Sequence, residues 1–177
     1  MKKLCITFII IAIIVLSGVC LFNLDAPTHT EYLRIHVRAN SNADIDQAVK
    51  YQVKDAVVNY LTPYIANCDT KEKAQDMLTD NLSAIESVCD GVLKKNGFAY
   101  KSRASVKNEQ FPTRVYDNLT LDGGFYDALI IELGDGKGDN WWCVVYPPLC
   151  FTGEGQGYVY KSKIKEIISD FFKKEKV

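Results

Sequence analysis

The chain has 177 residues, 47% of them hydrophobic and 24% charged, with a formal net charge of −1. These are globular values that exclude a disordered chain. Apart from Lys2, Lys3 and Asp25, it carries 19 basic and 21 acidic side chains, a balance with no electrostatic footprint for nucleic acid.

Met1-Lys2-Lys3 opens the chain, and Leu4 to Leu24 follows without a charge. At about 1.5 Å per residue this run is long enough to cross a bilayer core of roughly 30 Å. The positive-inside rule leaves the lysines in the cytoplasm and sends the remainder across. Residues 1–27 are therefore expected to be a signal peptide or membrane anchor with a short linker, and 28–177 a single extracytoplasmic α+β domain. Cleavage stays open: Gly18-Val19-Cys20 offers small residues, whereas Pro27 disfavours cutting after Ala26. Val19 before Cys20 argues against a lipoprotein.

From Tyr32 to Ala39, Leu33, Ile35, Val37 and Ala39 alternate with Arg34, His36 and Arg38, which predicts a strand with one buried face. The cationic row reads as an edge-strand face turned to water, opposite carboxylates of a neighbouring helix. The sharper alternative is a recognition surface for an acidic partner or anionic headgroups. Asn40-Ser41-Asn42 stops the strand, and Ser41 with Asp44 resembles a capping box.

Ile45, Ala48, Val49, Val53, Ala56, Val57, Tyr60 and Leu61 predict a first helix, up to Thr62-Pro63. Ala74 to Leu93 predicts a second, with Asp69 or Thr70 as N-cap and Gly97 just past its end. The short connection makes them an antiparallel helical hairpin. Strands are expected over Phe98–Lys107, Tyr126–Leu133 and Trp141–Tyr146, the last two joined as a β-hairpin by a flexible turn at Gly134–Gly138. Ile164, Ile167, Ile168, Phe171 and Phe172 mark a final amphipathic helix.

Four cysteines lie outside the leader. Cys143 and Cys150 are seven apart across Pro147-Pro148, where a turn brings Cα atoms to within about 6 Å, so a bridge is expected. Cys68 and Cys89 bracket a long helix, too far apart to bond if it is continuous, and Cys89 reads as a small core hydrophobe. No metal or cofactor motif is present, and neither is expected. Cys143 activated by His36 would make a thiol-dependent hydrolase of peptide or cell wall; a bridged thiol has no nucleophilic sulfur. The Gly134–Gly138 run leads into a strand rather than a helix, which disfavours phosphate binding. Alternation sends one of Trp141 and Trp142 inward and leaves the other as a contact anchor.

Several segments together resemble the stage II sporulation protein R family. They are Arg34–Ser41 with Asp46-Gln47, Lys54–Val57, Phe111–Arg114 with Tyr116, Gly124–Leu129, Gly134–Gly138 and, most specifically, Asn140–Cys150. Asp117 and Asp122-Gly123 depart from the family pattern at turns. The resemblance implies a signalling protein rather than an enzyme, exported from the forespore. It implies as partner a membrane-embedded aspartic protease of the mother cell that cleaves the sigma-E precursor. Arg34, His36, Arg38, Asn40, Asn140, Trp141 and Trp142 are the residues expected to face that partner.

Overall fold

The computed structural model describes residues 28–116, 119–151 and 158–174, so the expected leader lies outside the described residues. Among the described residues no helix is long and apolar enough to cross a membrane. The elements in chain order are β1 (Thr28–Arg38), α1 (Asp44–Ile65), α2 (Lys71–Asp80), α3 (Leu82–Lys95), β2 (Ser102–Phe111), β3 (Arg114–Tyr116), β4 (Leu119–Leu121), β5 (Gly124–Leu133), β6 (Asn140–Tyr146), a 3-10 turn (Leu149–Phe151) and α4 (Tyr158–Lys174). The class is α+β, as expected. The described chain falls into two compact units: a larger one of residues 30–109 and 126–174, and a smaller one of 28–29 and 110–125. The smaller unit holds the two-stranded sheet β3-β4, in which Arg114 pairs with Leu121 and Tyr116 with Leu119.

In the larger unit a mixed sheet runs β2-β5-β1-β6, with β6 antiparallel to β1. Two expectations are corrected here. The first strand is central rather than an edge. In addition, β5 and β6 do not form a hairpin, because β1 lies between them. Their connection steps over the end of β1 and is tied to it. Gly138 N–H donates to Ala39 O at 2.9 Å, and Lys137 N–H to Asn40 O at 3.2 Å.

The helices approach the face that carries Leu33, Ile35 and Val37, all fully buried. Lys54 of α1 sits over the Trp141 ring at 5.7 Å, and Lys71 of α2 pairs with Asp127 of β5 at 2.7 Å. Glu86 of α3 accepts the Ala104 N–H of β2 at 2.8 Å. Helices α1 and α3 pack on each other, and Val49, Val53, Val57 and Leu61 of the one and Ile85, Cys89 and Leu93 of the other are buried. Each such side chain contributes roughly 1.5–3 kcal/mol on burial.

Several local readings change. The first helix continues through Pro63 to Ile65, because near the C-terminus a proline removes a single N–H. Ile45 is 62% exposed, and the buried stripe instead includes Asp46 and Lys50. Ser41 forms no capping box; its hydroxyl accepts the Ala43 N–H at 3.1 Å and donates to Asp46 at 2.6 Å. The second helix is two, broken at Asn81, whose side-chain amide donates to Met77 O at 2.7 Å in competition with the backbone. Thr70 is its N-cap, accepting the Lys73 N–H at 3.2 Å, and Gly97 follows α3 at φ +81°.

Candidate interaction surface

Register decides which of the expected residues share a face. Arg34 pairs with Val144, His36 with Trp142 and Arg38 with Asn140, so these side chains stand on the face away from the helices. Val37 pairs with Trp141 and Ile35 with Cys143, which puts Trp141 and Cys143 on the helix side. The two tryptophans therefore do not form one anchor.

On the outer face, Arg38 donates to Glu132 of β5 at 2.6 Å and to Glu109 of β2, and Glu109 Oε1 lies 3.4 Å from His36 Nδ1. The carboxylates come from neighbouring strands, not from a helix. Neither Glu109 nor Glu132 was legible as a partner, since pairing across strands depends on strand order. His36 is 4% exposed and stacks on Trp142, with centroids 5.3 Å apart and planes at 27°. Arg34, with no accessible surface, holds its guanidinium 4.8 Å from the Tyr126 ring centroid. The reading of the cationic row as turned to water is thus corrected at Arg34 and His36. Arg38, Asn140 and Trp142 are half-buried.

Burial lowers the His36 pKa and the Arg38 charge adds to this, against opposition from hydrogen bonding with Asn140 and from Glu109. The folded state therefore holds neutral imidazole. Its contribution to stability is complete above the unfolded pKa of about 6.5 and falls away as pH drops below it. We expect urea midpoints to decline between about pH 7 and 5, and His36→Asn to flatten that decline. A slope unchanged by the substitution would contradict the assignment.

At the end of β1, Asn40, Ser41 and Asn42 act as fasteners. The Asn40 amide donates to Asp46 at 2.8 Å and its carbonyl accepts the Asp135 N–H at 3.0 Å. Asn42 Oδ1 accepts the Asp139 N–H at 2.6 Å. Asp46 also accepts from Tyr100 OH at 2.6 Å. Burial alone raises the Asp46 pKa, but the bonds from Ser41, Tyr100 and Asn40 outweigh it and hold the carboxyl below its ordinary range. Lys50 Nζ, also buried, reaches Asp139 O at 3.0 Å. Of residues 134–139, whose Gly134–Gly138 stretch reads from sequence as a flexible turn, five of the six are held by other elements, Gly134 included, whose N–H meets Lys101 O at 2.9 Å.

Cys143 and Cys150 form a disulfide, with Cα atoms 6.3 Å apart, as the spacing predicts. Cys143 and His36 stand on opposite faces of the sheet, so the thiol–imidazole pair of the hydrolase reading is not assembled. Cys68 and Cys89 are free and buried, and burial pushes the Cys89 thiol up to about 12. The native protein should therefore leave both unreactive toward iodoacetamide at pH 8, with urea adding Cys68 and Cys89 to any thiols that label in the native chain. Rapid native labelling at Cys89 would contradict this packing.

An ion-paired row of guanidinium, carboxylate, imidazole and indole on one face of a sheet supplies directional hydrogen bonds and a stacking plane. The family model described as stage II sporulation protein R matches residues 29–156. The chain belongs to that family, and with it to sporulation; the family suggests a signalling protein rather than an enzyme. It is 33% identical over 131 residues to stage II sporulation protein R of Bacillus subtilis (strain 168), an alignment covering 74% of this chain and 58% of that relative. The chain thus spans a little over half the length of the curated relative it matches. No solved structure matches.

Proposed function

We propose that this chain is an exported sporulation signal, passed from the forespore toward the mother cell, that switches on a membrane-embedded aspartic protease and so leads to sigma-E precursor cleavage. The family match over residues 29–156 carries the reading. The charge-free run from Leu4 to Leu24 supports export. In this reading Arg38, Asn140 and Trp142 meet the partner, with Asn40 at the rim, and Trp141, on the helix side, does not. Arg34 and His36 support them from beneath, since Arg34 has no accessible surface and His36 is 4% exposed.

The test is reconstitution in a non-sporulating host that expresses the protease and the sigma precursor. Adding this chain in exported form is expected to shorten the precursor on an immunoblot, whereas a version without residues 1–27 is expected to leave it intact. An uncut precursor with all three proteins present, and the chain shown to be exported, would overturn the reading.

A further inference from the structure

The family match ends at residue 156, and helix α4 follows it. Its sequence carries five lysines against Glu166 and Asp170, whereas the chain outside the leader is acidic in sum, so basic charge is concentrated on this one helix. One side of α4 is docked. Ile164 is fully buried, and the Phe171 ring lies 5.4 Å from that of Tyr32 on β1 and 6.2 Å from that of Tyr146 on β6. One flank turns to the α1–α2 junction: Lys163 Nζ donates to Asn67 at 3.0 Å, and Asp170 and Lys174 border a cavity shared with Asp69. At about 100° per residue the opposite flank is Lys165, Ile168 and Phe172, with Ser169 and Lys173 beside it. Lys165, Ser169 and Lys173 are exposed, and Ile168 and Phe172 half-buried. Among the described residues neither Lys165 nor Lys173 enters an ion pair.

We infer that this flank of α4 lies on the anionic surface of the lipid bilayer that holds the Leu4–Leu24 run. The inference rests on the reading of that run as a membrane segment, and chain length then selects the occupant. Tyr32, which meets Phe171, is eight residues beyond Leu24, so at about 3.4 Å per residue it stays within about 27 Å of the bilayer. Lysines beside two partly open apolar side chains are the composition of a helix that rests in the headgroup layer. Each lysine near an anionic surface is worth about fivefold in affinity. The tether turns that weak attraction into an intramolecular contact. A second copy of the helix would set lysine against lysine.

The experiment reconstitutes the full-length chain into vesicles of phosphatidylcholine alone, or of equal parts phosphatidylcholine and phosphatidylglycerol, both doped with a nitroxide-headgroup lipid. A coumarin amino acid replaces Ser169 in one chain and Ala48, exposed in α1 beyond the opposite end of β1, in another. At position 169 about twofold quenching is expected in the anionic vesicles and little in the neutral ones, with position 48 unquenched in both. High salt should erase the difference. Lys165→Glu with Lys173→Glu, both at exposed positions, should leave the urea midpoint in place and remove most of the quenching. Chain that floats with both vesicle types yet is unquenched at 169, or is quenched equally in both, would overturn the inference and leave the membrane segment standing. Chain that floats with neither would overturn both. Fluorescence at 169 that follows chain density rather than lipid charge would assign the flank to a second copy, and so overturn the inference as well.

Discussion

Gly138→Ala is expected to destabilise the domain by about 3 kcal/mol, within the range for substitutions that overpack a tight site. A Cβ built at position 138 lies 2.2 Å from the carbonyl oxygen of Ser41 and 2.9 Å from the Ala39 Cβ. The first neighbour is backbone, which cannot rotate aside, so the 134–139 connection has to lift off the end of β1. Lifting it loosens the Gly138 and Lys137 bonds to β1 and the Asp139 bond to Asn42. With a urea slope of about 2 kcal/mol per molar, the midpoint should fall by about 1.5 M. Gly91→Ala is the paired control. Nothing lies within 4 Å of its added methyl, and it sits inside α3, so the same change should raise the midpoint by about 0.3 M. Equal effects at the two positions would mean that the connection does not seat on β1 as described.

Trp142→Ala is expected to have the largest effect on function. Trp142 is half-buried, stacked on His36, and beside Asn140 and Arg38 in the outer row. Large aromatic side chains in such positions dominate binding when they meet a partner, with truncation costing about 2 kcal/mol or more, a roughly 30-fold loss. Arg38→Glu should act alike, because a reversed charge faces Glu109 and Glu132 and removes the donor of both bonds. In reconstitution, compared at matched amounts of accumulated chain, each variant should leave most of the precursor uncut. Tyr64→Ala, on an exposed part of α1, should cut as wild type. Trp142→Ala with full cleavage would remove this face from the mechanism.

What could be read from the sequence was whatever depends on neighbours along the chain. The alternation of Leu33 to Arg38 placed β1 and sorted its faces, and the Cys143–Cys150 spacing predicted the bridge. Thr70 and Gly97 marked helix ends through local backbone chemistry. What could not be read depends on partners far along the chain. Nothing near Gly134–Gly138 says that β1 inserts between β5 and β6, so the crossover looked like a hairpin. Asp46 and Lys50 stood outside the apolar stripe of α1, and their partners, Tyr100 and Asp139, lie 54 and 89 residues away. The same blindness hid Glu109 and Glu132 and made Arg34 look exposed. Asn81 broke a helix that its apolar periodicity carries straight through, since the interrupting bond comes from one side-chain amide.

The most direct test of the central claim, that the outer sheet face around Trp142 meets the protease, is site-specific photocrosslinking in the reconstituted host. Benzoylphenylalanine replaces Trp142 in one exported chain and Tyr64 in another. Illumination is expected to give a covalent adduct carrying both this chain and the protease from position 142, and none from position 64. An adduct from position 64 alone, or none from 142 while precursor cleavage proceeds, would contradict it.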